Sequence, residues 1–359
     1  MAGEYSYRRL EENDLESVSA LINEVLSVDI KPDHWRDKYF RNPAGDALSA
    51  VVVHDGQVVG QIGSIPIRFR VNGEEVIAVQ ELDVAMYESH RRFDVFLRLA
   101  NEQSKIYKQN GVDFSFTFAI GTTSEIARIF NVSKKVSQIP RLVKVLDTDP
   151  LLKKKLSAGV LSKVVSPAAN MALRLKYGEK TKIPDGMELK RIERFDAPFD
   201  AFWERIKDDY PIMTIRSAVY LNWRYFDAAL IDYEIIALVE TATGAVAGFV
   251  VLGESDEGYT IGQIFDVVTP REGSEAITRC LVSRAIERFR QKKAAMVKCW
   301  FYEHCHVSPV LDAQGFGPRL KEGRDVLFTP YDGEKSCRAR SLGEDQKNWY
   351  LAKGDSDNY

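Results

Sequence analysis

Apolar residues at Leu15, Val18, Leu21, Ile22 and Val25 keep helical spacing in "NDLESVSALINEVL", with Asn13 or Asp14 as a cap and Glu16 in the first turn. A second short helix follows Pro32, a residue suited to a first helical turn. The pattern then changes to strand-like runs in "LSAVVVHDGQVVGQIGSIPIRFRVNGEEVIAVQELDVAM". Asp55-Gly56 and Asn72-Gly73 divide it at the dipeptides that tight hairpins favour, which predicts an antiparallel three-strand meander. Beyond residue 92 the helical period returns, with Val95, Leu99 and Ile106 on one line, Phe96, Ala100 and Tyr107 beside it, and a stop at Gly111. A buried strand "VDFSFTFAI", a short helix from about Thr122 and a strand over 137–146 complete the run.

The same order recurs downstream. "DYEIIALVE", "GAVAGFVVLGE" and "GYTIGQIFDVVT" form a second meander, "EAITRCLVSRAIERFRQ" a second helix and "AAMVKCWFYE" a second buried strand. "HWRDKYF" and "LNWRYF" precede the two meanders, while "LDVAM" and "FDVVT" end them. Such repetition implies two copies of one fold. The predicted divisions are residues 1–147, a linker at 148–186, and residues 187–359 with a short acidic tail. Trp35, Tyr39, Trp223 and Tyr225 are expected to pack each second helix on its sheet. Residues 151–182 hold eight Lys or Arg against one Glu, a local charge of +7, and Pro167 is expected to break or bend any helix there. That stretch reads either as a solvated helical linker or as a contact for a membrane surface, acidic glycan or RNA.

Composition narrows the classes. The chain has 359 residues, 45% hydrophobic and 28% charged, which suits two globular domains, and its net charge of -3 selects no partner. Cys280, Cys299, Cys305 and Cys337 lack C-x-x-C spacing, so reduced thiols are expected rather than disulfides. No apolar leader region and no run of about 18 apolar residues is present, and a cytoplasmic protein is expected.

The element order in both halves resembles the GNAT superfamily, the Gcn5-related N-acetyltransferases. The resemblance implies an α/β fold of two tandem GNAT-like domains, each a mixed, mostly antiparallel sheet flanked by helices. In that family the third meander strand pairs with the pantetheine of acyl-CoA, and a turn similar to V-x-V-x-P-x-Y-R-G-x-G-I-F wraps the pyrophosphate. Here the turn matches at Val84, Met86, Arg91, Val95 and Phe96, with Arg92 and Asp94 in the glycine places. The resemblance therefore implies Val84, Ala85, Met86, Arg91, Arg92 and Val95 as residues holding acetyl-CoA or another acyl-CoA co-substrate. Asp94 brings a negative charge towards the diphosphate, whereas Arg91 and Arg92 offer guanidinium groups at a helix N-terminus. The alternative is a surface cap without a ligand.

N-acylation needs a base for the ammonium nucleophile and polarisation of the thioester carbonyl. Glu81 and Asp83, two apart on the third strand, are expected to face one side, and either could serve as the base. Asp266 is the counterpart of Asp83 in the second copy. There Arg271 and Gly273 keep only part of the turn, and Val310 and Leu311 stand near the place of the family's acid tyrosine. "CWFYEHCHVSP" puts Tyr302, His304 and His306 at the end of the fifth strand, a candidate polar rim for the substrate; no metal site is expected.

The leading expectation is acyl-CoA-dependent transfer to a small amine, such as an amino sugar in polysaccharide biosynthesis. The first copy would bind coenzyme and the second would shape the pocket. The alternatives are Fem-type transfer from aminoacyl-tRNA, with nucleic acid bound through the 151–182 linker, and a non-catalytic scaffold.

Overall fold

A computed structural model describes residues 4–119, 134–156, 159–177, 182–331 and 334–357. Its first half comprises β1 (Tyr5–Arg9), α1 (Leu15–Leu26), α2 (Pro32–Phe40), β2 (Ala50–His54), β3 (Gln57–Val71), β4 (Glu74–Met86), α3 (Phe93–Gln109), β5 (Phe114–Ala119) and β6 (Lys134–Val145). Helices α4 (Asp149–Leu156) and α5 (Gly159–Tyr177) follow. The second half holds β7 (Met187–Ile192), α6 (Ala197–Ile206), β8 (Ile212–Thr214), α7 (Ala218–Asn222), β9 (Glu234–Glu240), β10 (Val246–Asp256), β11 (Thr260–Val268), α8 (Glu275–Gln291), β12 (Met296–Trp300), α9 (Ser308–Ala313), β13 (Gly317–Pro330), α10 (Glu334–Gly343) and β14 (Trp349–Tyr350). The helix expected near Thr122 lies outside the described residues.

Two departures from the sequence pattern concern edges and proline. Strand β1, unmarked by any long apolar run, adds to the sheet edge by pairing antiparallel to β2 from Tyr5↔His54 to Arg9↔Ala50. Helix α5 continues through Pro167, so of the expected break or bend the break does not occur.

One compact unit contains residues 1–137, 211–230 and 325–349. Its strands run β1-β2-β3-β4-β5, with residues 325–330 of β13 antiparallel to β5 and β8 antiparallel to the end of β3. Val95, Leu99, Ile106 and Tyr107 of α3 pack on Ala50, Val52, Val59, Ile62 and Val79, all buried. Each Val, Leu or Ile side chain among them contributes about 1.5–3 kcal/mol on removal from water. Gln103 fixes this helix further by accepting from the Ala50 amide at 2.7 Å. The opposite face carries α2: Gln61 and Gly63 flank Ile62, point the other way, and meet the Tyr39 hydroxyl. Trp35, Tyr39, Trp223 and Tyr225 are all buried, and the Trp223 indole donates to the Asp37 carbonyl on α2 at 2.9 Å.

The other unit contains residues 138–210, 231–324 and 350–359. Strands β7-β9-β10-β11-β12 lie in order, and residues 141–145 of β6 pair antiparallel with β12. Phe199 and Phe202 of α6 pack on Phe249, while the bare backbone of Gly262 admits the Phe289 ring of α8. Among the described residues Cys280, Cys299 and Cys305 are buried and joined in no disulfide. Among the described residues no helix is long and apolar enough to cross a membrane.

Candidate functional site

Strands β4 and β5 start as a parallel pair and then part. Their register runs Ala78↔Phe114, Val79↔Ser115 and Gln80↔Phe116 and stops there, although β4 continues to Met86 and β5 to Ala119. Beyond the split, β4 bulges against β3: Gln61 pairs with Ala85 and Gly63 with Leu82, so Asp83 and Val84 together oppose Ile62. Asp83 takes a left-handed φ of 46°, a conformation its short polar side chain tolerates. Val84 has no Cα partner on β3 and is 46% exposed. The bulge thus presents a short stretch of open strand at the fork.

The bulge also corrects the expected pairing of carboxylates. Glu81 and Asp83 face opposite sides of the sheet, because the extra residue reverses the alternation between them. Glu81 lies with α3, where it accepts a hydrogen bond from the Tyr107 hydroxyl at 3.4 Å. Ser115 also approaches it, and the Ser115 and Tyr331 hydroxyls are 3.3 Å apart. Burial raises the Glu81 carboxyl above its usual range, outweighing the opposing bonds from Ser115 and Tyr107. Burial and the nearby Glu81 raise both Tyr107 and Tyr331, which stay protonated donors.

Asp83 lies with α2. Its carboxylate accepts from Lys38 Nζ at 2.7 Å and from the Tyr39 hydroxyl at 2.7 Å, while Gln61 Nε2 donates to its carbonyl at 3.0 Å. Lys38 is only 2% exposed and sits over the Trp35 ring. These bonds hold the bulge in shape.

The coenzyme candidates divide by role. Ala85, Met86 and Val95 are buried, so only the backbone of the first two and the packing of the third bear on a ligand. Arg91 Nε donates to the Met86 carbonyl at 2.9 Å, which ties the turn to the strand end. Arg92 forks onto Asp94 at 2.9–3.1 Å with both groups exposed, so the carboxylate in the glycine place is compensated by its neighbour. Behind the turn, His90 Nδ1 is 2.9 Å from the Tyr5 hydroxyl and its ring stands beside His54.

The second unit repeats the fork but occupies it with its own chain. Strands β11 and β12 pair from Ile261↔Met296 to Gln263↔Lys298 and no further, and β11 bulges at Phe265. Asp266 is 1% exposed and accepts from the Val267 amide at 3.0 Å and the Tyr350 hydroxyl at 2.8 Å. Tyr350 also approaches the Val267 carbonyl at 2.7 Å, and Lys353 reaches Gln263. Residues 351–356 are buried. His306 bridges the Tyr210 hydroxyl at 2.9 Å and the Thr269 hydroxyl at 2.8 Å, and burial, aided by Arg271, lowers its pKa to about 4. His304 instead stacks on the buried Tyr302. Of the four substrate candidates, Asp266 and His306 gather around Tyr350, whose ring lies 6.4 Å from that of His306.

The sequence pattern missed Tyr107, Ser115, Tyr331 and Lys38. Tyr107 reads as one more apolar helix position, and Tyr331 reaches the cluster only through the pairing of β13 with β5. Lys38 carried a weak signal, a lysine inside the aromatic run "HWRDKYF".

Residues 6–132 match the family model described as "Acetyltransferase (GNAT) domain". No protein of curated function matches the chain. Among solved structures, Saccharomyces cerevisiae N-myristoyltransferase with bound myristoyl-CoA is similar over 93% of this chain and 85% of that one, at 13% identity and a TM-score of 0.63. A GCN5-related N-acetyltransferase from Anabaena variabilis is similar over 95% and 75%, at 10% identity and a TM-score of 0.64. Residues 6–132 are thus similar to a GNAT acetyltransferase domain, and the chain has the fold of the GNAT acyltransferases.

Proposed function

We propose that the first unit transfers an acyl group from acyl-CoA to a small amine, with an amino sugar as the first acceptor to try. The observation that carries this reading is the fork between β4 and β5, with Glu81 directly after the last paired residue, Gln80. An acyl-pantetheine laid along the open strand at Val84 would take hydrogen bonds that β5 no longer supplies. Glu81 would accept a proton from the ammonium, directly or through one water. The freed amine attacks the thioester carbon, the carbon–sulfur bond breaks, and the proton that the new amide nitrogen loses passes to the departing thiolate. A carboxyl whose pKa burial raises is a stronger base than an exposed one, which favours this step. Arg91 and the open amides of the first turn of α3 would receive the diphosphate. The second unit, its strand groups at Val267 already bonded to Asp266 and Tyr350, is read as the non-coenzyme half. The myristoyl-CoA bound by the yeast relative makes longer acyl chains worth testing beside acetyl.

The test combines binding and turnover. Acyl-CoA is expected to raise the melting temperature in proportion to the logarithm of its concentration. Arg91→Ala/Arg92→Ala should weaken that binding about tenfold or more. Glu81→Gln should leave binding intact and lower kcat by roughly 10²–10⁴. Absence of any shift with acetyl-, octanoyl- and myristoyl-CoA would remove the reading.

A further inference from the structure

Helix α5 turns two unlike faces to its surroundings. At about 100° per residue, Ser166, Asn170, Leu173 and Tyr177 fall within about 60° of one another. This is the face held by the protein. The Thr148 amide and hydroxyl donate to Asn170 Oδ1 at 2.9 and 3.0 Å, and Asn170 Nδ2 donates to Asp147 at 2.8 Å. Tyr177 lies against the bare backbone of Gly315 and beneath Lys144 Nζ, 5.2 Å from its ring centre. These anchors fix the rotation of the helix.

The opposite face is Ala168, Met171, Ala172 and Leu175, all exposed, with Met171 at 58% and Leu175 at 81%. The spacing i, i+3, i+4, i+7 makes one continuous apolar stripe. Arg174 falls along one border and Lys176 along the other. Arg290 of α8 lies near enough to Arg174 for the two charges to interact. Lys153 and Lys154 are already used by the protein, on Asp149 and on the Glu257 carbonyl at 2.6 and 2.7 Å.

We propose that this stripe docks α5 flat on an anionic lipid surface, with Met171 and Leu175 entering the acyl boundary and Arg174 and Lys176 meeting the headgroups. The exposed Arg174 and Lys176 complement negative lipid, and the apolar centre between these basic borders is the arrangement an interfacial helix needs. A phosphate backbone would be met by cations alone and has no use for an exposed leucine and methionine.

The full chain is to be sedimented with vesicles of equimolar phosphatidylglycerol and phosphatidylcholine, and with phosphatidylcholine alone. Binding is expected to the anionic vesicles, weakening as salt rises. Met171→Ser/Leu175→Ser should reduce it about a hundredfold with an unchanged melting temperature, since both side chains are exposed. Ala172→Leu, which enlarges the stripe, should strengthen binding several-fold and keeps the test valid if the double variant folds poorly. No vesicle binding overturns the proposal, as does equal binding by wild type and variants. Retention on tRNA that the serine variant leaves intact would assign the charge to nucleic acid. A dimer that the serine variant dissolves, without vesicle binding, would assign the stripe to a second copy.

Discussion

At the scale of the residue, the two carboxylates of β4 have parted company. Asp83 is tied to a buried lysine, and removing one partner of such a pair leaves a stranded charge. Lys38→Met should therefore cost about 3–5 kcal/mol in urea unfolding, and adding Asp83→Asn should recover part of the loss. His306 makes a prediction about pH. Its folded pKa of about 4 lies below the ordinary value of 6.5, so below pH 6.5 the unfolded chain takes up a proton that the folded chain refuses. Stability is thus fully present above pH 6.5 and is lost as pH falls towards 4, by about 2–3 kcal/mol if other groups are held aside. Unfolding midpoints at pH 7 and pH 4.5 for wild type and His306→Asn should show the slope shrinking in the variant.

At the scale of the element, the fork depends on the bulge, and the bulge depends on the space at Gly63. A Cβ there would stand 2.7 Å from the Leu82 carbonyl, 3.0 Å from the Tyr39 hydroxyl and 3.1 Å from Asp83 Cβ. Gly63→Ala should push β4 away from α2, lowering stability by about 1–3 kcal/mol. If Val84 receives the acyl-pantetheine, the same variant should lose acyl-CoA affinity more than its stability loss explains. Calorimetric titration well below its melting temperature separates the two effects. The helices, the Asp-Gly and Asn-Gly hairpins and the period-2 strands were legible along the chain, because each is a local pattern. The bulge was not, since the extra residue in β4 is defined only against its partner β3.

At the scale of the whole molecule, the elements recur in sequence order while each compact unit gathers distant stretches. The unit with the β4–β5 fork takes residues 325–349, whose first six extend β5 on its outer side. Residues 1–147 expressed alone should leave the edge of β5, with Phe114, Phe116 and Phe118, without its partner strand. That fragment is expected to aggregate or to unfold without cooperativity in circular dichroism, and co-expression with residues 148–359 should restore a sharp transition. Tyr331 belongs to the same exchange, so the surroundings of Glu81 were beyond any reading of the first half.

The sequence by itself determined the element order, the repeated meander, helix and strand, and the resemblance to GNAT proteins, because hydrophobic period and turn chemistry act over a few residues. It also marked Glu81, Val84 and Arg91 as positions of interest. Only the tertiary structure decided that Asp83 braces a bulge while Glu81 sits among Tyr107, Ser115 and Tyr331, and that the second fork is bonded to the chain's own Tyr350 and Lys353. The side a residue faces follows from one inserted residue, and the polarity around it from segments hundreds of positions away. Both are properties of pairing and burial, which no local pattern encodes.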